Sequence, residues 1–127
     1  MNEHIKEFEL EDYKGLKLKQ LSKGNRQKVS IIASVLHNPD LLIYDEPTLG
    51  LDPFALKQFK DFLKNYTNAG GTVFLSSHAL DIITEIADNV SLIHQGEIID
   101  RNVLISEVMA GNIDLEKFML NAIESVG

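Results

Sequence analysis

The segment Leu41-Leu42-Ile43-Tyr44-Asp45-Glu46-Pro47 decides the fold of this chain. Its first four residues form an apolar run without polar alternation, which predicts a strand covered on both faces, as in parallel sheets. Asp45 and Glu46 end the run, and Pro47 turns the chain away directly after them. The segment therefore predicts a buried strand that delivers two carboxylates to the edge of a sheet.

The residues before this strand predict a helix that ends near His37. Apolar residues recur there at helical spacing from Arg26 onward: Val29, Ile32, Ala33 and Leu36. Asn38 then precedes Pro39, and proline disfavours helical geometry in the residue before it.

A second helix and a second strand follow. Asp52 before Pro53 predicts a helix start, with an acidic N-cap and proline at the first helical position. Its predicted buried stripe is Leu56, Phe59, Phe62, Leu63 and Tyr66. After Gly70-Gly71 interrupts the helix, Thr72 to Ser76 predicts another buried strand.

The remaining pattern completes an α/β fold. Residues 80 to 88 predict a third helix, and Gln95-Gly96 between residues 90–94 and 97–100 predicts a tight hairpin. The last 27 residues are predicted to be mainly helical. Alternating strands and helices predict parallel strands joined by right-handed crossovers, with ligands gathered at the carboxyl ends of the strands.

Composition bounds the class of protein. The chain has 127 residues, 44% of them hydrophobic, no cysteine and a formal net charge of −7. These values are typical of a single globular domain without disulfides, and neither a membrane-spanning run nor a signal peptide is evident. We therefore expect a cytosolic protein. A basic stretch at residues 14–28 lies in an otherwise acidic chain, which favours a local phosphate contact and argues against a general nucleic-acid partner.

One candidate ligand site is the turn Leu21-Ser22-Lys23-Gly24-Asn25-Arg26-Gln27, which leads into the first helix. Unpaired backbone N–H groups and the helix dipole favour an anion such as phosphate at a helix N-terminus. The same residues also fit an ordinary serine N-cap on a surface helix. The turn alone leaves both interpretations open.

The two strand ends carry further candidates. Either Asp45 or Glu46 could hold Mg²⁺ through water, and the other could orient or deprotonate an attacking water. A solvated strand end before a turn explains the same pair. His78, after Ser76 and Ser77, could contact a γ-phosphate, although a lone histidine there also fits an ordinary loop residue.

The order and separation of these segments resemble the ATP-binding cassette (ABC) ATPases. In that family, segments like Leu21–Gln27, Leu41–Glu46, Leu49–Asp52 and His78 are the signature motif, Walker B, the D-loop and the switch histidine. The likeness runs from about residue 16 to residue 100. Residues 50–53 and 115–120 look most like cassettes of ABC-2 type exporters. The resemblance implies the RecA-like parallel sheet of P-loop NTPases with flanking helices.

The resemblance also implies roles for individual residues, with ATP and Mg²⁺ as cofactors. Asp45 would hold Mg²⁺, Glu46 would be the general base and His78 would contact the γ-phosphate. The nucleotide held by an opposite subunit would meet the signature residues and Asp52: Ser22, Lys23, Gly24, Gln27 and Asp52. Lys23 and Asn25 depart from the commoner Leu-Ser-Gly-Gly-Gln signature, and Asn25 leaves the contact set open.

These 127 residues contain no G-x-x-x-x-G-K-[ST] stretch, the Walker A motif that wraps nucleotide phosphates. We therefore expect part of a cassette that lacks the Walker A strand and loop. Residues 1–37 would end the helical subdomain, residues 38–100 would run from Walker B to the switch histidine, and residues 101–127 would form a helical extension. The family's Walker A strand would lie between the strands at residues 72–76 and 90–94. We expect the isolated chain to be poorly stable or to associate, with negligible ATP turnover.

The sequence thus predicts the ATP-hydrolysing subunit of an ABC transporter. It would act in a head-to-tail dimer with a second ABC ATPase subunit, at the inner face of a membrane through a permease. The alternative is a non-catalytic regulatory remnant that lends its signature motif in trans to a complete cassette. A DNA-maintenance or translation factor of the ABC type finds no support, because coiled-coil heptads and a second cassette are both missing from these residues.

Overall fold

The computed structural model describes residues 1–126, apart from the side chain of Arg101, and confirms an α/β fold. The helices are α1 (Asn2–Glu7), α2 (Lys23–Val35), α3 (Pro53–Asn68), α4 (Leu80–Ile86), α5 (Ile105–Met109) and α6 (Leu115–Val126). The strands are β1 (Leu41–Asp45), β2 (Thr72–Ser76), β3 (Asn89–His94) and β4 (Glu97–Leu104). Two short 3₁₀ turns, Glu11–Tyr13 and Leu18–Gln20, connect α1 to α2. The chain divides into two compact units, Met1–Ser77 and His78–Gly127.

The sheet of the first unit consists of β1 and β2, which pair in parallel. The register runs from Leu41 opposite Thr72 to Asp45 opposite Ser76, and α3 forms the connection between the strands. The predicted strand, helix and parallel strand are therefore confirmed here. Because both strands have five residues and are in register, their carboxyl ends lie side by side.

The predicted burial of both sheet faces is wrong for this pair of strands. Leu41 is 50% exposed, Ile43 69% and Phe74 63%, and they share one face of the sheet. The opposite face carries Leu42, which is buried, and Tyr44, whose ring meets Phe59 of α3. The helix packs on that second face only, so the first keeps its apolar side chains in solvent.

Aromatic side chains pair with one another in the core of the first unit. Phe59 is fully buried, and its ring centroid lies 5.9 Å from that of Tyr44 in an edge-to-face arrangement. Phe62 approaches Phe8 at 5.6 Å, which joins the N-terminal segment to α3. Such pairs add about 0.5–1.5 kcal/mol to the free energy gained by burying the rings. The predicted stripe of α3 is confirmed at Phe59, Phe62 and Leu63.

The buried face of α2 coincides only in part with the apolar positions that predict the helix. The structure buries the adjacent face, which carries Lys28, Ile31, Ile32 and Val35, and leaves Ala33 and Leu36 exposed. Both faces have apolar residues at helical spacing, so periodicity alone could not choose between them. Lys28 lies on the buried face because its ammonium group donates a hydrogen bond to the carbonyl oxygen of Phe8 at 3.2 Å.

The second unit is built on the hairpin of β3 and β4. The strands pair antiparallel, and Gln95 and Gly96 both have positive φ angles, 51° and 82°, which confirms the predicted tight turn. Strand β3 pairs with its neighbour β4 in a two-stranded sheet of its own. The expected place of a Walker A strand between β2 and β3 stays a prediction. Ile83, Ile105 and Leu115 form the core of this unit. Within residues 1–126, no helix is long and apolar enough to span a membrane.

Candidate functional site

The end of β1 places two carboxylates next to the end of β2. Ser76 donates a hydrogen bond from its hydroxyl to Oδ1 of Asp45, with an oxygen–oxygen distance of 2.5 Å. The backbone N–H of Glu46 approaches the same hydroxyl oxygen at 3.0 Å and the Ser76 carbonyl oxygen at 3.2 Å. One serine therefore fixes both a carboxylate and the backbone of the residue that follows it.

Glu46 has an unusual backbone conformation for a residue with a side chain. Its φ angle is +46°, in the left-handed region, and Pro47 follows it. Left-handed geometry costs a non-glycine residue roughly 1–2 kcal/mol, so neighbouring contacts must hold it in place. Strand β1 ends at Asp45, directly before this residue.

The N-terminus of α2 begins at a serine cap. The Ser22 hydroxyl accepts a hydrogen bond from the backbone N–H of Asn25 at 3.1 Å. This contact confirms the capping role of Ser22, and it leaves the phosphate interpretation a prediction. Lys23 opens the helix without an acidic residue in the first turn, so the positive end of the dipole keeps its charge.

The first turns of α2 contact the loop that follows Glu46. Gln27 donates a hydrogen bond from Nε2 to the carbonyl oxygen of Pro47 at 2.9 Å. Gly24 lies against the same loop, because a Cβ atom built on it would approach the carbonyl oxygen of Gly50 to 3.1 Å. The structure thus brings the signature-like turn and the D-loop-like segment together within one unit.

Asp52 begins the next helix, as predicted. Its Oδ1 accepts a hydrogen bond from the backbone N–H of Ala55 at 2.8 Å, and Pro53 occupies the first helical position. His78 is exposed and opens the second unit, two residues after the end of β2. Its contact with a phosphate stays a prediction, as does the contact of Asp52 with a second subunit.

The residues at the strand ends fit Mg²⁺ bound together with a nucleotide. In the described part of the chain, no group of three or more His, Cys, Asp or Glu residues could hold a metal ion. Mg²⁺ usually keeps several waters and takes one or two carboxylates plus substrate phosphates. Asp45 supplies such a carboxylate, oriented by Ser76 and exposed to solvent. Asp45 would therefore supply one ligand to an Mg²⁺ ion whose other ligands are water and phosphate.

Tyr44 lies in β1 directly before Asp45. Burial raises the pKa of the Tyr44 phenol above its ordinary value, while the hydrogen bond to Ser34 opposes that rise. The two hydroxyl oxygens lie 2.7 Å apart, and this contact joins β1 to α2. Tyr44 thus anchors the strand that carries Asp45.

Two functional contacts were missed from sequence. The sequence pattern marks Ser76 only as the end of a predicted strand before Ser77 and His78, and Pro47 only as a turn residue. The available signal for Ser76 was a hydroxyl at the end of the strand predicted to pair with β1 in parallel. The Pro47 carbonyl oxygen had no such signal, because its donor lies 20 residues earlier in the chain.

Comparison with known proteins matches residues 2–83 to the family described as "AAA domain, putative AbiEii toxin, Type IV TA system". The chain is 38% identical over 101 residues to the ABC transporter ATP-binding protein NatA of Bacillus subtilis. It is 39% identical over 98 residues to the bacitracin transport ATP-binding protein BcrA of Enterococcus faecalis. These matches cover 80% and 76% of the chain but only 41% and 32% of the relatives, so the chain spans about two fifths and one third of their lengths.

Two solved structures share the fold. The first is the ATP-binding subunit of an ABC transporter, with a TM-score of 0.84 and 28% identity over 95% of this chain and 52% of that one. The second is a dimeric post-hydrolysis state of the ATP-binding cassette MJ0796 with bound ADP and Pi. Its TM-score is 0.72 at 27% identity, covering 79% of this chain and 44% of that one. Both matches agree with the α/β fold.

Proposed function

This chain belongs to the AAA-domain family and corresponds to part of an ABC transporter ATP-binding protein, and on that premise we propose that it carries the hydrolytic and signature segments of an ATPase. The observation that supports this most is the placement of Asp45 and Glu46. They lie at the carboxyl end of a parallel strand, next to Ser76, where ligands bind in such sheets. The nucleotide would be MgATP.

Asp45 and Glu46 divide the chemistry between them in this proposal. Asp45 holds Mg²⁺, and the Ser76 hydrogen bond leaves one of its oxygens fixed in direction. Glu46 acts as general base on the attacking water. His78 contacts the γ-phosphate. The two adjacent carboxylates differ in one contact that supports this division: the Asp45 carboxylate accepts the Ser76 hydroxyl, whereas Ser76 meets Glu46 at its backbone N–H.

The N-terminus of α2 forms the second part of the proposal. Ser22, Lys23 and Gly24 meet the γ-phosphate of a nucleotide held by a second ABC ATPase subunit, with Gln27 behind them and Asp52 acting across the same interface. Support comes from the positive end of a 13-residue helix with a lysine in its first turn. The Ser22 cap is compatible with this role, because a capping oxygen can still accept or donate elsewhere.

The partners follow from the same membership. We propose a head-to-tail dimer with a second cassette and a contact with a membrane permease at the cytoplasmic face. The dimeric MJ0796 cassette and the transport name of BcrA support this arrangement. Within the chain, residues 1–37 would belong to the helical subdomain, residues 38–100 to the catalytic core and residues 101–127 to a helical extension.

The deciding experiment pairs this chain with the Walker A-bearing part of a related cassette and measures MgATP hydrolysis. We expect turnover by the pair and a loss of roughly 100-fold or more in Glu46→Gln, because the amide cannot accept a proton from water. Glu124→Gln makes the same chemical change at an exposed position on α6 and should leave turnover unchanged.

The same assay separates the catalytic proposal from the regulatory alternative. If Glu46→Gln keeps full turnover while Gly24→Asp abolishes it, the chain lends only its signature turn and the catalytic proposal is wrong. Gly24→Asp introduces a negative charge and a Cβ atom that would crowd the Gly50 carbonyl oxygen. Substantial hydrolysis by the chain alone would also contradict the proposal.

A further inference from the structure

The amide of Gln27 is directed at its own chain. Nε2 donates to the carbonyl oxygen of Pro47 at 2.9 Å, and Pro47 is among the most deeply buried residues of the molecule. Pro47 directly follows Glu46, so this bond holds the peptide unit on the C-terminal side of the proposed general base. A helix that begins at the proposed phosphate site therefore reaches the backbone next to Glu46.

A second contact fixes the same two segments. The carbonyl oxygen of Gly50 lies where a side chain on Gly24 would begin, and the aliphatic stem of Lys23 lies beside Gly50. Gly50 has a φ of +82°, so the loop bends there in a conformation that side chains rarely adopt. Two separate contacts hold the loop against the first turn and a half of α2, which restrains rotation as well as translation.

The backbone on the other side of Glu46 is held by β2. The backbone N–H of Glu46 donates to the carbonyl and hydroxyl oxygens of Ser76, at 3.2 and 3.0 Å. Glu46 is thus fixed on both sides in its left-handed conformation, by Ser76 before and by Gln27 through Pro47 after. Removal of either support should let this backbone relax toward a less strained geometry.

We propose that Gln27 is a positioning residue for Glu46 and links the phosphate-binding end of α2 to the general base. This inference rests on the proposed function for the role of Glu46. It gives Gln27 a different task from direct nucleotide contact, because its donor is engaged with Pro47. Any shift of α2 on meeting a phosphate would move the Pro47 carbonyl oxygen and with it the Glu46 backbone.

The first test measures amide hydrogen exchange in the chain itself, without nucleotide. Gln27→Glu keeps the size of the side chain but removes the donor, and Gln27→Met removes it without adding charge. We expect the Glu46 and Leu49 amides to exchange about fivefold faster in Gln27→Met and faster still in Gln27→Glu. Ser30→Asp adds the same charge at an exposed position on α2 and should change neither amide.

Exchange at Glu46 within twofold of the wild-type rate in folded Gln27→Met would overturn the proposal. If Gln27→Glu does not fold, Gln27→Met alone decides. This readout needs no catalysis, so it stands or falls separately from the proposed ATPase activity. Equal acceleration in Ser30→Asp would also overturn the proposal, because the effect would then come from charge and not from the hydrogen bond.

The second test uses the paired cassette and separates kcat from KM. A positioning role predicts that Gln27→Met lowers kcat about tenfold while KM for MgATP stays within twofold, because ground-state binding is unaffected. A raised KM with unchanged kcat would mean that Gln27 contacts the nucleotide, and the positioning role would be wrong. Turnover by the wild-type pair, together with its loss in Glu46→Gln, shows that the pair is catalytically competent.

Discussion

Ser76→Ala should lower the stability of the first unit by a measurable amount. The substitution removes one hydrogen bond to the Asp45 carboxylate and one from the Glu46 N–H. Bonds to charged groups contribute about 1.5–3 kcal/mol and neutral ones about 0.5–1.5 kcal/mol. Ser76, Asp45 and Glu46 are all exposed to solvent or nearly so, and water replaces part of what is lost. We therefore take the lower ends and expect a loss of about 2 kcal/mol.

The assay is urea unfolding followed by tyrosine fluorescence. The chain has three tyrosines and no tryptophan, and Tyr13, Tyr44 and Tyr66 all lie in the first unit, so the signal reports that unit. With a urea dependence of about 1.5 kcal/mol/M, a loss of about 2 kcal/mol moves the midpoint down by about 1.3 M. The dependence of the unfolding free energy on urea should stay unchanged, because unfolding exposes the same amount of surface in both proteins.

Two further variants show whether the hydroxyl is responsible. Ser76→Thr keeps the hydroxyl and suits a strand, so its midpoint should lie close to that of the wild type. Ser30→Ala removes a hydroxyl from an exposed site on α2 and should change stability by less than about 0.5 kcal/mol. A midpoint shift below about 0.3 M in Ser76→Ala would refute the reasoning, since two hydrogen bonds would then be worth almost nothing.

Three other substitutions test the fold around the site. Asp52→Ala removes the cap on the Ala55 N–H and should cost about 1 kcal/mol in urea unfolding; an unchanged midpoint would mean that water replaces the cap. Phe59→Ala empties a fully buried position and should cost about 3–5 kcal/mol, and a loss below about 1 kcal/mol would contradict the described core. Burial raises the Tyr44 pKa, so the unfolded chain loses its proton first and stability should fall as pH rises above about 10. Tyr44→Phe should reduce that alkaline loss, while at neutral pH it costs about 1 kcal/mol through the bond to Ser34. An alkaline unfolding curve identical in both proteins would argue against a buried phenol.

The apolar face of the first sheet is a physical reason to expect that the isolated chain is poorly stable. Leu41, Ile43 and Phe74 lie exposed on one side of a two-stranded sheet, a surface that a folded protein rarely leaves to water. Two strands alone are marginal without further packing. The chain spans less than half of the length of its relatives NatA and BcrA. This exposed apolar face agrees with the expectation that the isolated chain associates.

The sequence by itself determined the local elements and the order of the motifs. The starts of α2 and α3, the strand at residues 41–45 and the turn at Gln95 depend on caps, proline and short-range periodicity. Each of these signals acts over a few neighbouring residues, so contacts with distant parts of the chain change the local structure little. The ABC resemblance was readable for the same reason, because its motifs are short and ordered.

Only the tertiary structure decided which surfaces of those elements are buried and which residues contact each other. The folded chain buries the face of α2 that carries Ile31 and Val35, and it leaves the apolar residue Leu36 exposed. It joined Asp45 to Ser76 across 31 residues and Gln27 to Pro47 across 20. These contacts arise where independently formed elements pack, and their geometry depends on register and side-chain volume that no local pattern encodes. The conformation of Glu46 also depends on the tertiary structure, because the segments that hold it are distant along the chain.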